Sequence, residues 1–302
     1  MAFYRICGLP VVSELSLPGA IATSPPPVPA EISIRHGLVP MALSSPSATG
    51  ATWEMTSEAF LLRIPRVARF LISFGRNIAV ELEPGAKERD AAAFLLGTVF
   101  GVLLHQRGAL VLHGAAVAKD GRAIAICGVS GAGKSTLAAA LCGAGFTFAA
   151  DDLCVIGLDS SRHPVVLPDG RQLKLWTESI DGLDLAARRG EAIRDSLEKY
   201  FISPEETTSE PPRLSAIYIL RDARPSHREG IERLALPDAM RTLEREVYRP
   251  NLRAKMGKIT DDFAQAAQVY NHVKVYLLVR ARGFERIPQT VEALNAHWNA
   301  LD

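Results

Sequence analysis

Charge of one sign is what this sequence most lacks: 34 Lys and Arg stand against 33 Asp and Glu in 302 residues, a formal net charge of +1. Without a cationic excess there is no electrostatic footprint for nucleic acid or an acidic membrane surface, and neither partner is expected. Long hydrophobic runs are missing too. The most apolar stretch, 91–104, is shorter than the roughly 20 residues of a membrane span and reads as a buried helix. Cysteine is scarce. Cys7, Cys127, Cys142 and Cys154 show no C-x-x-C spacing and no nearby histidine cluster, which points away from a zinc site or a disulfide framework and toward a reducing compartment. The start, Met1-Ala2-Phe3-Tyr4-Arg5, lacks the basic segment and apolar core of a secretory signal. A soluble, cytoplasmic protein is expected, and no internal repeat is present.

What is there divides the chain near residue 88. Residues 1–88 are rich in proline, with loops at Pro25-Pro26-Pro27 and 44–50. Between them lie short β-like runs at 31–34, 60–64, 69–74 and 77–82, with Gly75 as a hairpin turn between the last two. This half reads as a small β-rich module without a catalytic constellation. Residues 89–302 alternate helix and strand patterns. A helix is expected over 87–106, stopped by Gly108, followed by one β-run over 109–117 and another over 122–127 around the turn Lys119-Asp120-Gly121. A helix over 134–143 and a strand over 146–150 come next. Further on, 165–167 and 172–176 look like strands around Pro168-Asp169-Gly170. A helix is expected over 184–199, a mobile polar stretch over 203–212, strands at 214–220 and 273–279, and helices at 237–246 and 288–301.

The second β-run leads into Gly128-Val129-Ser130-Gly131-Ala132-Gly133-Lys134-Ser135, a full match to G-x-x-x-x-G-K-[ST], with Thr136 following. Its four specified positions recur by chance in about 1% of chains of this length. A strand before it and a helix after it supply the context that the motif needs. The glycines let backbone N–H groups turn inward around a phosphate at the positive end of the helix. Lys134 can reach the β- and γ-phosphates of a nucleotide, taken as ATP, and the Ser135 hydroxyl can ligate Mg²⁺.

Asp151-Asp152 ends the strand after that helix, where P-loop enzymes hold a metal-binding carboxylate. One carboxylate can bind metal while the other accepts a proton from an attacking hydroxyl, and their mutual repulsion would keep one of them basic. A solvated turn is the bland alternative. His113, on the strand before the loop-bearing one, is either a structural residue or a neighbour of the phosphates. Lys174 and Trp176 are either a packed edge strand or substrate contacts. Arg249 and Arg253 are either a solvated helix-end cluster or partners of the transferred phosphoryl group.

Together, Leu112-His113-Gly114, the loop 128–136 and Ala149-Ala150-Asp151-Asp152 resemble the C-terminal domain of HPr kinase/phosphorylase over about residues 108–158. The separations of 15 residues from His113 to Gly128 and 17 from Ser135 to Asp152 agree with that family. The resemblance implies an α/β fold with a P-loop kinase core of the HPr kinase/phosphoenolpyruvate carboxykinase type. It also implies Lys134 on phosphate, Ser135 at Mg²⁺ with Asp151 as the carboxylate candidate, Asp152 as the base and His113 assisting it. The chain departs from the family at Asp169-Gly170-Arg171-Gln172-Leu173-Lys174-Leu175-Trp176, where the family carries a Glu-x-Arg-Gly type segment tied to phosphorolysis. Leu173-Lys174-Leu175-Trp176 instead resembles the HPr-kinase-like proteins of lasso-peptide gene clusters, which phosphorylate a serine at the C-terminal end of a precursor peptide. The partner so implied is a peptide or small protein offering a serine hydroxyl, and hexameric family members imply a homo-oligomer. HPr itself, a small-molecule hydroxyl and a non-catalytic nucleotide switch or scaffold remain the alternatives.

Overall fold

The computed structural model describes residues 1–302 apart from positions 196, 226, 258 and 302, and only the backbone at 259, 260 and 262. Short apolar runs separated by glycine and proline turns build the first sheet. Its strands are β1 (Ala2–Ile6), β2 (Leu9–Ser13), β3 (Ala22–Thr23), β4 (Ile32–His36), β5 (Ala48–Thr49), β6 (Trp53–Met55), β7 (Ala59–Ile64), β8 (Ala68–Ser73) and β9 (Asn77–Leu82). They run in the order β3-β1-β2-β4-β9-β8-β7-β6-β5. The turn expected at Gly75 joins β8 to β9, with Phe74 and Gly75 both left-handed. Trp53 stacks on Phe60 within this sheet.

The helix expected over 87–106 forms with an irregular middle: α1 (Glu88–Phe94), a π-helical turn (Leu95–Val99) and α2 (Phe100–Gln106). It is apolar on nearly every side because it is covered on nearly every side. Leu95, Leu96, Val99, Phe100 and Leu103 share one core with Phe60, Phe70 and Ile72 of the first sheet and with Val111, Leu153 and Val155 beyond it.

The second sheet carries the candidate site. It begins with β10 (Leu110–Leu112), β11 (Gly114–Lys119) and β12 (Arg122–Cys127), then, after α3 (Lys134–Gly143), β13 (Thr147–Asp151), β14 (Cys154–Leu158) and β15 (Pro164–Val166). The single run expected over 109–117 is two strands. At His113 the backbone N–H donates to the Glu246 carbonyl at 2.7 Å instead of to a strand. That contact peels β10 away to pair with β14, while β11 pairs with β12 and β13.

The expected strands at 165–167 and 172–176 also part company. β15 stays in the second sheet, but β16 (Leu173–Trp176) leaves it and, after α4 (Thr177–Gly182), joins β17 (Arg189–Ala192) and β18 (Lys199–Ile202) in a third sheet ordered β16-β18-β17. The helix expected over 184–199 is therefore corrected to a short 3₁₀ turn and two strands. Tertiary pairing overrides helix propensity here. Gly190 lies so close to β18 that a Cβ would stand 3.0 Å from the Phe201 carbonyl, and Arg189 lies over the Tyr200 ring. The polar stretch 203–212 is not loose either: Phe148 of β13 exchanges backbone hydrogen bonds with Glu206 and Thr208.

β19 (Arg213–Asp222), β20 (Gly230–Arg233), α5 (Leu236–Glu246), α6 (Pro250–Lys255), α7 (Ile259–His272), β21 (Lys274–Arg280) and α8 (Ile287–Asn299) complete the chain. β12, β19 and β21 are parallel neighbours, so their C-terminal ends open on the same side. Alternation along β12 divides the core in two. Ile124 and Ile126 face α3 and α8, where Trp298 lies buried beneath Arg122; Ala123, Ala125 and Cys127 face α5 and α7. The result is a mixed α/β protein of three sheets among the described residues. No described helix is long and apolar enough to cross a membrane.

Candidate functional site

The glycine-rich loop spans the gap between β12 and α3. Gly133 caps α3 in the left-handed region at φ 88°, and a Cβ there would stand 2.6 Å from Arg280 Nη2. Only glycine accommodates both conditions. Lys134 folds back over the loop, its Nζ donating to the Gly128 carbonyl at 2.8 Å and the Val129 carbonyl at 3.2 Å. Burial pushes its ammonium down, against the opposing charges of Glu246, Asp151 and Asp152. The first loop amide, Gly128 N–H, donates to Glu246 Oε2 at 2.8 Å.

The strand after α3 delivers the carboxylates, and they turn different ways. Asp151 accepts from Ser135 Oγ at 2.6 Å and from the Lys174 N–H at 3.2 Å. Asp152 sits at φ 74°, a left-handed conformation that costs a non-glycine residue about 1–3 kcal/mol and turns its side chain off the strand line. Its Oδ1 lies 3.3 Å from His113 Nδ1 and its Oδ2 lies 3.7 Å from Lys174 Nζ. Desolvation pushes the Asp152 carboxyl up, but the hydrogen bond from His113 and the charges of Lys174, His113 and Arg171 outweigh it and hold the group well below the usual carboxylate range. The repulsion expected to keep one of the pair basic is thus overridden at Asp152 by its cationic neighbours.

A buried ion pair locks this strand end in place. Asp169 and Arg171 are each 1% exposed. Asp169 accepts from the Asp151 N–H, and Arg171 donates to Asp169, to the Asp151 carbonyl and to the Leu96 carbonyl in the π-helical turn. The same segment bonds the first sheet through Cys7 N–H and Gly8 N–H.

One cavity of about 470 Å³ is lined by His113, Ser130 to Thr136, Asp151, Asp152 and Lys174. Gly128 and Val129 stand behind it, holding the Lys134 ammonium. Arg249 and Arg253 are not among the lining residues. Arg253 is fully buried behind β10, bonded to His105 and to the Ala109 carbonyl, and Arg249 reaches Thr98. The arginines that do line the cavity are Arg280 and Arg282. Arg280 donates to the Ala132 carbonyl at 2.8 Å, and its Nε is buried without a hydrogen-bond partner among the described residues. Sequence reasoning passed over both, although they follow directly on the apolar run 273–279. Ligands of open α/β sheets gather at the C-terminal ends of parallel strands, and that rule marks these positions. Trp176 and Phe284 line the same cavity, half-exposed, and Thr136 Oγ1 meets Ser179 Oγ at 2.9 Å.

The Ser135 hydroxyl and the Asp151 carboxylate suit a hard cation. Mg²⁺ is commonly held by one or two carboxylates plus substrate phosphates and water rather than by a cage of protein groups. Among the described residues no group of three or more His, Cys, Asp or Glu gathers to form such a cage.

No family model and no curated protein matches the chain. Among solved structures it is similar to the Hpr(Ser) kinase/phosphatase from Coxiella burnetii, at 9% identity and a TM-score of 0.31, over 63% of this chain and 91% of that one.

Proposed function

We propose that the chain is a Mg²⁺- and ATP-dependent kinase of the HPr-kinase-like type that phosphorylates a serine hydroxyl on a peptide or small protein. The observation that carries this reading is the convergence in one cavity of a nucleotide-type phosphate loop with an ionised, cation-oriented carboxylate. The loop amides and Lys134 hold the phosphates, Lys134 leaving its carbonyl partners for them. Ser135 and Asp151 would hold Mg²⁺, which supplies charge neutralisation on the phosphate oxygens. Asp152 accepts the hydrogen bond of the acceptor hydroxyl and orients it in line. In a loose phosphoryl-transfer transition state the proton leaves late, so a weakly basic carboxylate serves as long as its position is fixed. His113 and Lys174 fix it. Arg280, at the loop's Ala132, supplies fixed positive charge beside the phosphates. The finer acceptor, the C-terminal serine of a lasso precursor peptide, is proposed from the Leu173-Lys174-Leu175-Trp176 sequence.

Asp152→Asn tests the reading directly. ATP affinity, measured by calorimetry, should stay within about twofold, while kcat for phosphoryl transfer to serine acceptors falls by about 10²–10⁴. Transfer by the variant at the wild-type rate would remove Asp152 from the role.

A further inference from the structure

β16 pairs with β18 on one edge only, and its other edge opens on the cavity that holds Asp152. Thr177 N–H donates toward β18, to the Glu198 carbonyl at 3.0 Å, whereas Lys174 N–H points the opposite way, to Asp151 Oδ2. Backbone groups alternate sides along a strand, so the Lys174 C=O and the Trp176 N–H both project from the open edge. These two groups, one residue apart in the strand, are the pair that a single residue of a parallel neighbouring strand bonds at once. The Lys174 N–H is already taken, and the Trp176 C=O begins α4, so the vacant pairing is of the parallel kind.

We propose that the acceptor docks as an extended peptide segment that adds a parallel strand to the open edge of β16, its serine level with Leu175 at the cavity that Asp152 also lines. This rests on the serine-kinase reading above and deepens it. A residue level with Leu175 shares that side chain's facing, toward α3, the helix that the phosphate loop opens. The residues on either side of the serine face as Trp176 does, and its ring, 49% exposed, gives them an apolar platform. Lys199 stands over that ring, 5.7 Å from its centroid, and forms no ion pair among the described residues. A segment with a carboxylate beside the serine complements it. Main-chain bonds then supply affinity while Trp176 and Lys199 supply selection, the division of labour of strand addition.

The test uses the full chain with Mg²⁺, γ-labelled ATP and an array of single-serine decapeptides with acidic and apolar flanks, with free serine as control. For the best-labelled peptide, N-methylation of the serine amide, which removes the donor to Lys174, should lower kcat/KM at least roughly tenfold, and methylation of the preceding amide should change it by less than about twofold. Trp176→Ala should raise the peptide KM about tenfold, with ATP Kd unchanged. Equal tolerance of the two methylations overturns the strand pairing. So does a Trp176→Ala effect that falls on ATP Kd and spares the peptide KM. Transfer to free serine with none to any peptide also overturns it, whereas absence of transfer to every acceptor overturns the kinase reading itself.

Discussion

Asp152 is held ionised by its neighbours rather than by exposure, so its protonation depends on the cationic groups around it, His113 and Lys174 first. With Lys174 and His113 beside it, the carboxyl lies well below the usual range, so it contributes no acid limb to the rate profile near its ordinary pKa of about 4. Lys174→Met removes one opposing charge and leaves the desolvation in place. The Asp152 pKa then rises, and the acid limb of kcat/KM should move to higher pH in a pH–rate profile, with the plateau at alkaline pH less affected. Glu246 makes a second residue-scale prediction. It is 6% exposed and accepts from the first amide of the glycine-rich loop. Glu246→Ala leaves that amide without a partner, at a cost of about 1–3 kcal/mol, and ATP Kd should rise by roughly five- to a hundredfold in titration calorimetry. That the loop, the carboxylates and His113 lie near one another was legible in the sequence because they fall within about 40 residues, around one strand, one tight turn and one helix. Arg280 was not, because its value comes from which strand lies beside which. Arg249 and Arg253 offered either a solvated helix-end cluster or phosphoryl contacts on charge alone, and the fold puts Arg253 into the core.

Segments governed by their own pattern form the expected elements, and segments governed by a distant partner do not. The 87–106 helix and the strands 122–127, 214–220 and 273–279 follow from apolar periodicity, and the structure contains them. The segment 184–199 has helix-forming composition, yet Gly190 and Arg189 are held against β18 by contacts that no local pattern announces. The crossing 168–172 is the other such place. Gly170 lies at φ 68°, and a Cβ on it would overlap the Arg5 carbonyl of β1. Gly170→Ala combines left-handed strain with a forced backbone shift, and urea unfolding should show a loss of at least about 2 kcal/mol. Because the same segment orders Asp151 through Asp169 and Arg171, kcat should fall in that variant as well.

For the whole molecule, the division expected near residue 88 runs through a continuous apolar core. The helix on its C-terminal side packs Leu95, Val99 and Phe100 against Phe60, Phe70 and Ile72 on its N-terminal side. Removing 1–88 should therefore uncover that helix face and give an aggregating product on size-exclusion chromatography, since large exposed apolar patches associate. A monodisperse 89–302 fragment that binds ATP normally would show that the first sheet is dispensable. The three tryptophans fall one to each sheet layer: Trp53 stacked in the first, Trp298 buried against the second, and Trp176 half-exposed in the third. Each layer thus carries its own intrinsic fluorophore, and single-tryptophan variants would let the melting of each layer, and the arrival of a ligand at Trp176, be followed by emission without any attached dye.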